Sequence, residues 1–222
     1  MPIPYRALLA GVVLLAAPHI SNADTAHATN VTPAVAAQPA TIEGFRSAHF
    51  GMSEADIRKA IKHDFALSGS SVQTGVNPLQ RTQMINIAVP DLVPGSGKAT
   101  INYIFGYTSQ RLIEINVTWA TAADPVMTPS VLLRTGSTLQ GYFQGETFPA
   151  GQTASNAVLA NGSVLLFRGT DAGGHTAALV LGGSLQMDAK THKGQLTPTS
   201  LTLVYAADPA HPDIFQLQKG SF

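Results

Sequence analysis

The sequence predicts an α+β fold in which two helices pack on an antiparallel sheet, in the order α-β-β-β-α-β-β-β. Two stretches open on a helix-capping residue and repeat apolar side chains at three- and four-residue spacing, while others alternate apolar and polar residues in period two. Turns rich in Gly, Pro and Ser separate the alternating runs, so neighbouring strands should run antiparallel.

The chain begins with Arg6, an apolar run from Ala7 to Ala17, and Pro18, which is the order of an export signal. Small residues at Ser21 and Ala23 place the cut after Ala23, and Ala26 and Ala28 offer a second site after Ala28. So short an apolar run falls below the roughly 20 residues a hydrocarbon core demands, and no membrane span is expected. No Arg-Arg pair precedes it, which favours the general export route. Residues 1–23 are therefore read as a signal peptide. "DTAHATNVTPAVAAQPA", residues 24–40, has too few large side chains to repay its ordering entropy and reads as a flexible leader. A single α+β domain is expected over 41–222, with possible halves 41–122 and 123–222.

The first helix follows from "SAHFGMSEADIRKAIKHDF", the most charged stretch of the chain. Ser53 stands where its hydroxyl can take a free backbone N–H, and Glu54 and Asp56 lie against the positive end of the helix dipole. Ile57, Ala60, Ile61 and Phe65 share one face of a helix from Glu54 to about Asp64, while Arg58, Lys59, Lys62 and His63 fall mostly elsewhere. Burying each large apolar side chain is worth about 1.5–3 kcal/mol as an upper estimate, against about 0.3–0.5 kcal/mol for an exposed helical ion pair. Burial thus accounts for the pattern, and the charges are expected to face water.

Three strands come next, "QMINIAV", "ATINYIFGY" and "LIEINVTW". Their alternation puts Ile101, Tyr103, Phe105 and Tyr107 on one face of the middle strand and Ile113, Ile115, Val117 and Trp119 on one face of the last. "DLVPGSGK" and "YTSQRL" are the turns.

Thr128 and Pro129 restart a helix as cap and first helical residue, with Leu132, Leu139 and Phe143 as its stripe and Gly136 as its weak point. After its end near Gly145, "ETFPAGQTASNA" reads as a loop, and strands return at "SVLLFRG", "HTAALVLG" and "LTLVYAA". The repeated helix-and-meander order suggests a duplicated unit, with "IFGYTS" at 104–109 matched to "LFRGTD" at 166–171.

Composition limits the partners. Lys and Arg total 13 and Asp and Glu total 13, so no field favours nucleic acid and no nucleic-acid partner is expected. Cysteine is absent, which removes disulfides, thiolate chemistry and the lipid-anchored cysteine of bacterial lipoproteins. "PGSGKAT" lacks both the first glycine and the final Ser or Thr of a phosphate loop, since Leu92 and Ala99 stand there, and reads as a hairpin turn. His49, His63, His175, His192 and His211 have no metal-binding spacing. "HPD" at 211–213 reads as an exit turn that, with Asp208, offers at most a weak site for a hard cation. No Gly-x-Ser-x-Gly elbow occurs, and Glu43, Glu54, Glu114 and Glu146 each have a plain surface, cap, strand or loop role. No catalytic, cofactor-binding or metal-binding residue is singled out, and the sequence leans away from enzymatic activity.

"FGMSEADIRKAI" followed by "YIFGYTSQRLIEINVTW", over Phe50 to Trp119, resembles small exported bacterial envelope domains: the SmpA/BamE-type outer-membrane assembly lipoproteins and the β-lactamase-inhibitor-like folds. The resemblance implies a helix on an antiparallel meander and a place in the periplasm or outside the cell. The expected function is a non-catalytic binding or accessory protein of the envelope with a protein partner. One alternative is a small-ligand or glycan-binding protein using Tyr103, Tyr107 and Trp119 as a stacking platform; another is a hydrolase without a recognisable motif.

Overall fold

The computed structural model describes residues 39–187, 194–217 and 220. The expected signal peptide, the leader before Pro39, and His192 lie outside the described residues. Among the described residues no helix is long and apolar enough to cross a membrane.

A short hairpin, β1 (Gly44–Phe45) and β2 (Ala48–His49), precedes α1 (Glu54–Phe65). The cap at Ser53 forms as its sequence requires: the Asp56 N–H donates to Ser53 Oγ at 3.3 Å, and the Ser53 hydroxyl donates to Asp56 Oδ2 at 2.6 Å. Ile57, Ala60 and Ile61 are buried, while Lys59, Lys62 and His63 are exposed and Arg58 is half-exposed. Arg58 pairs with Glu54 at 2.8 Å and Lys59 with Asp56 at 3.0 Å. The charged stretch is therefore the wet side of a docked helix.

Four strands follow: β3 (Gln73–Asn77), β4 (Thr82–Val89), β5 (Ala99–Phe105) and β6 (Leu112–Ala120). Then come α2 (Pro129–Gln144) and four more, β7 (Thr153–Val158), β8 (Val164–Thr170), β9 (Thr176–Met187) and β10 (Gly194–Ala206). Thr128 caps α2 by accepting the Val131 N–H at 3.3 Å, with Pro129 at the first position as expected. The two-helix α+β architecture is thus observed, with one more strand in each half than the alternation indicates. "QTGVN" and part of the expected loop, "TASNAV", are β3 and β7, the two edges of the sheet. Each is largely exposed and has one hydrogen-bonding neighbour, so neither needs an alternating apolar face.

The large sheet has eight strands in the order β3-β4-β5-β6-β10-β9-β8-β7, and every pairing is antiparallel. Each half is a helix followed by a four-stranded meander, and the halves join through their last strands, with Leu203 opposite Val117 and Leu201 opposite Trp119. The topology therefore repeats. The suggested residue match does not follow it: Ile104 and Phe105 close β5, the third strand of its meander, whereas Leu166 and Phe167 lie in β8, the second.

Over most of their length the inner strands turn odd-numbered residues to the helices; register shifts at Ile104/Phe105 and Leu165/Phe167 bring Leu112 and Leu166 to that side as well. Ile85, Ile101, Tyr103, Ile115, Val117, Trp119, Leu179, Leu201 and Leu203 are buried there in one cluster with Ile57, Ile61, Leu132 and Phe143. Gly136 is a point of close approach in α2, since a Cβ there would stand 2.8 Å from Leu166 Cδ1 and 3.4 Å from Leu201 Cδ1. Its missing side chain lets α2 sit down on β8 and β10.

Candidate functional site

Over most of their length, the even-numbered residues of the inner strands make the other face of the sheet, which carries no helix. "MINIAV", "TINYIF" and "EINVTW" each hold an Ile-Asn pair followed by an apolar residue, and the strand register brings the three asparagines into line. Asn86 lies opposite Asn102, and Asn102 opposite Asn116. Beside them runs a second row, with Thr100 opposite Thr118 and Thr118 opposite Thr202. The recurring Ile-Asn pair is the signal that finds this face, and a reading confined to the apolar alternation passes over it.

These side chains are half-buried and partly held by one another. The Asn86 amide donates to Asn102 Oδ1 at 2.7 Å, the Asn116 amide donates to Glu114 Oε1 at 2.7 Å, and the Thr118 and Thr202 hydroxyls lie 3.3 Å apart. Asn116 Oδ1 is buried without a hydrogen-bond partner among the described residues. Glu114 and, on β8, Arg168 add one charge of each sign, while the half-buried Met84, Ile104, Val180 and Val204 share this face, so it is mixed polar and apolar and close to neutral. Short neutral side chains on a rigid sheet lose little freedom when covered.

The chain's C-terminal segment borders one end of this face. A groove of about 420 Å³ lies there, lined by Glu114, Arg168 and Val204 of the sheet and by His211 and Ile214 of the segment. Asp213 fixes it: its carboxylate accepts the Thr108 N–H at 3.0 Å and the Ser109 N–H at 2.8 Å, and its carbonyl accepts the Tyr107 N–H at 2.8 Å. Burial works to raise the Asp213 carboxyl, but the Ser109 and Thr108 donors outweigh it and its pKa lies below the ordinary value. Gly106 is needed here, because a Cβ would come 2.2 Å from Asp213 Oδ2. The "HPD" turn is thus a clasp on the β5–β6 turn, and Asp208 is occupied in accepting the Ala210 and His211 N–H groups.

The stacking platform expected from Tyr103, Tyr107 and Trp119 is not assembled. Tyr103 and Trp119 are buried on the helix side, at 0% and 1% exposure. Tyr107 lies beyond the end of β5 and packs edge-on against Phe215, with ring centroids 5.6 Å apart. Strand β5 stops at Phe105 because the turn from Gly106 to Arg111 begins there, so Tyr107 loses the alternation that placed it beside Tyr103.

The "PGSGK" stretch is a hairpin turn between β4 and β5, with Gly95 and Gly97 at φ of 72° and 70°. Its Ser96 is fully buried and accepts the Trp119 indole N–H. The described histidines lie apart: His49 is 3.5 Å from Glu43, His63 is 2.9 Å from Asp64, and His211 is 3.5 Å from Asp208. His175 packs on the Phe50 ring with centroids 5.1 Å apart. Among the described residues, no three His, Asp or Glu side chains come together as a metal site.

Comparison with protein-family models, with curated proteins and with solved structures finds nothing that matches this chain.

Proposed function

We propose that this is an exported, non-catalytic binding protein of the bacterial cell envelope, and that it engages a partner protein through the helix-free face of its sheet. The observation that carries the reading is the set of aligned Asn86, Asn102 and Asn116 beside Thr100, Thr118 and Thr202, uncovered on a sheet whose opposite face bears both helices. The amide and hydroxyl groups offer donors and acceptors at fixed spacing without a net field, and Met84, Ile104, Val180 and Val204 flank them, so the matching surface is uncharged and mixes polar with apolar groups. The export-signal pattern and the resemblance to envelope domains support the location in the periplasm or outside the cell.

The test is affinity capture from the host's envelope fraction, with the protein and two variants compared in parallel. A partner recovered at near-stoichiometric yield, whose affinity falls at least about tenfold with Thr100→Arg and is unchanged with Lys62→Glu on the far side, supports the reading. No partner at such a yield, or one held equally by Thr100→Arg, removes it.

A further inference from the structure

On the helix side, a cavity of about 410 Å³ lies over the seam between β6 and β10. It is a half-open cleft rather than a sealed void, its volume falls in the roughly 300–1,000 Å³ range of small-molecule sites, and a run of aromatic rings borders one side. Its position follows from the two-unit architecture. Each helix packs within its own half, and the seam between the last strands is left to be roofed by other parts of the chain.

The roof is the segment Ala40–Arg46, which is tied down on both sides. The Ala40 N–H donates to the Thr147 carbonyl at 2.7 Å, the Ile42 N–H donates to Asp171 Oδ2 at 2.8 Å, and the Glu43 carbonyl accepts the Phe50 N–H at 2.9 Å. The floor is Val117 and Trp119 of β6 with Leu203 and Tyr205 of β10. Along one side a run of rings is already stacked: Phe45 on Tyr205 with centroids 5.8 Å apart, and Phe143 on Phe167 at 5.4 Å. Tyr205 and Phe143 adjoin, 6.3 Å between centroids. A flat ring entering the cavity would extend this stack, and aromatic pairs favour such offset contacts.

The polar groups narrow the class of ligand. Tyr205 and Tyr142 line the cavity, Tyr205 half-buried and Tyr142 exposed at its mouth. Burial, helped by the nearby Tyr142, pushes the Tyr205 hydroxyl above its ordinary pKa, so it stays a neutral donor. Arg46 and Glu146 at the margin carry opposite charges, and the Arg46 guanidinium is already placed over the Phe65 ring at 4.7 Å. The site therefore offers hydrogen-bond donors and aromatic walls without a net charge to attract an ion.

We infer that this cavity binds a small, uncharged, ring-containing molecule that bears one hydrogen-bond acceptor, stacked against Tyr205 and Phe143 and held by the Tyr205 hydroxyl. It lies on the side of the sheet opposite the proposed protein-binding face and stands on different residues, so either reading can fail without the other.

The probe is Prodan, an uncharged naphthyl ketone whose emission reports the polarity and hydrogen bonding around its carbonyl. Because Trp119 is the single tryptophan of the chain and lines the cavity, a bound probe should quench it by energy transfer. The expected result is saturable one-to-one binding with loss of Trp119 emission. Leu139→Trp, which fills the cavity from α2, should abolish binding while circular dichroism and melting stay unchanged, with the probe excited directly. Tyr205→Phe should weaken binding about threefold to tenfold, the span of one neutral hydrogen bond, and shift the bound emission to the blue. Absence of saturable binding, or full binding by a folded Leu139→Trp protein, overturns the inference. Should Leu139→Trp fail to fold, unchanged affinity and emission with Tyr205→Phe overturns it instead.

Discussion

The indole N–H of Trp119 donates to the hydroxyl of Ser96 at 3.1 Å, and both residues are buried. The same Ser96 Oγ accepts the Val93 N–H at 3.2 Å, so one small side chain satisfies two donors at the cavity margin. Ser96→Ala leaves both without that acceptor. It should destabilise the protein by about 1–3 kcal/mol, the cost of orphaning a buried donor. Urea unfolding followed by Trp119 fluorescence measures it, and a change under about 0.5 kcal/mol would mean that water replaces the hydroxyl freely.

Asp171 plays a comparable part for the roof segment. It is 6% exposed, its Oδ1 accepts the Gly173 and His175 N–H groups, and its Oδ2 accepts the Ile42 N–H. Asp171→Ala should cost about 2–3 kcal/mol through these unpaired donors. It should also speed hydrogen exchange at Ile42 more than at the strand amides of β5. Equal acceleration at both would show a global loss of stability rather than release of the roof.

Tyr103 presents the opposite case. Its hydroxyl is buried with no hydrogen-bond partner among the described residues, and burial raises its pKa above the ordinary value. Tyr103→Phe removes an unsatisfied polar atom while keeping the ring. Stability should be unchanged or higher by up to about 1 kcal/mol. A clear loss on denaturant titration would reveal a partner for the hydroxyl in solution.

The acid limb of stability has identifiable contributors. Asp64 and Asp213 both sit below their ordinary pKa of 3.8; burial opposes this in each, and the Ser47 and His63 groups or the Ser109 and Thr108 groups prevail. A folded-state pKa below the unfolded one means the unfolded chain takes up the proton first. The contribution is therefore complete above about pH 4 and drains away as pH falls through the depressed folded values. Asp64→Asn and Asp213→Asn should each lower the urea midpoint at neutral pH and flatten its decline between about pH 4 and pH 2. An unaltered acid limb in both would assign the decline to other groups.

Charge reversal on α1 tests the wet face. Arg58, Lys59 and Lys62 changed together to Glu lose two exposed ion pairs and gain repulsion. The cost should be about 1–1.5 kcal/mol at low salt and less at high salt. A loss of several kcal/mol would mean that the face is buried.

Much of the scaffold was legible because its signals are local. Ser53 and Thr128 cap their helices within three residues, and the alternation over β4, β5 and β6 needs only neighbouring positions. The edge strands β3 and β7 were not legible, since ladder hydrogen bonds to β4 and β8 define them rather than any apolar pattern of their own. The candidate surfaces depend on registration between distant segments. Asn86, Asn102 and Asn116 could be seen as a recurring Ile-Asn pair, but only the strand register makes them a row. The cavity roof rests on a hydrogen bond between Ile42 and Asp171, 129 positions apart, which no spacing rule anticipates.

The seam between β6 and β10 also bears on the order in which the protein is made. Both are the last strands of their meanders, so β6 emerges during translation with one side bare and keeps that edge until the final strand arrives. An unpaired edge of this kind can accept a strand from a neighbouring molecule. The β10 of another copy would offer the same ladder. What favours closure within the chain is the covalent link through the second unit, which holds its own β10 at high effective concentration beside β6. Crowded nascent copies would make that competition closest, at the moment before the last strand docks.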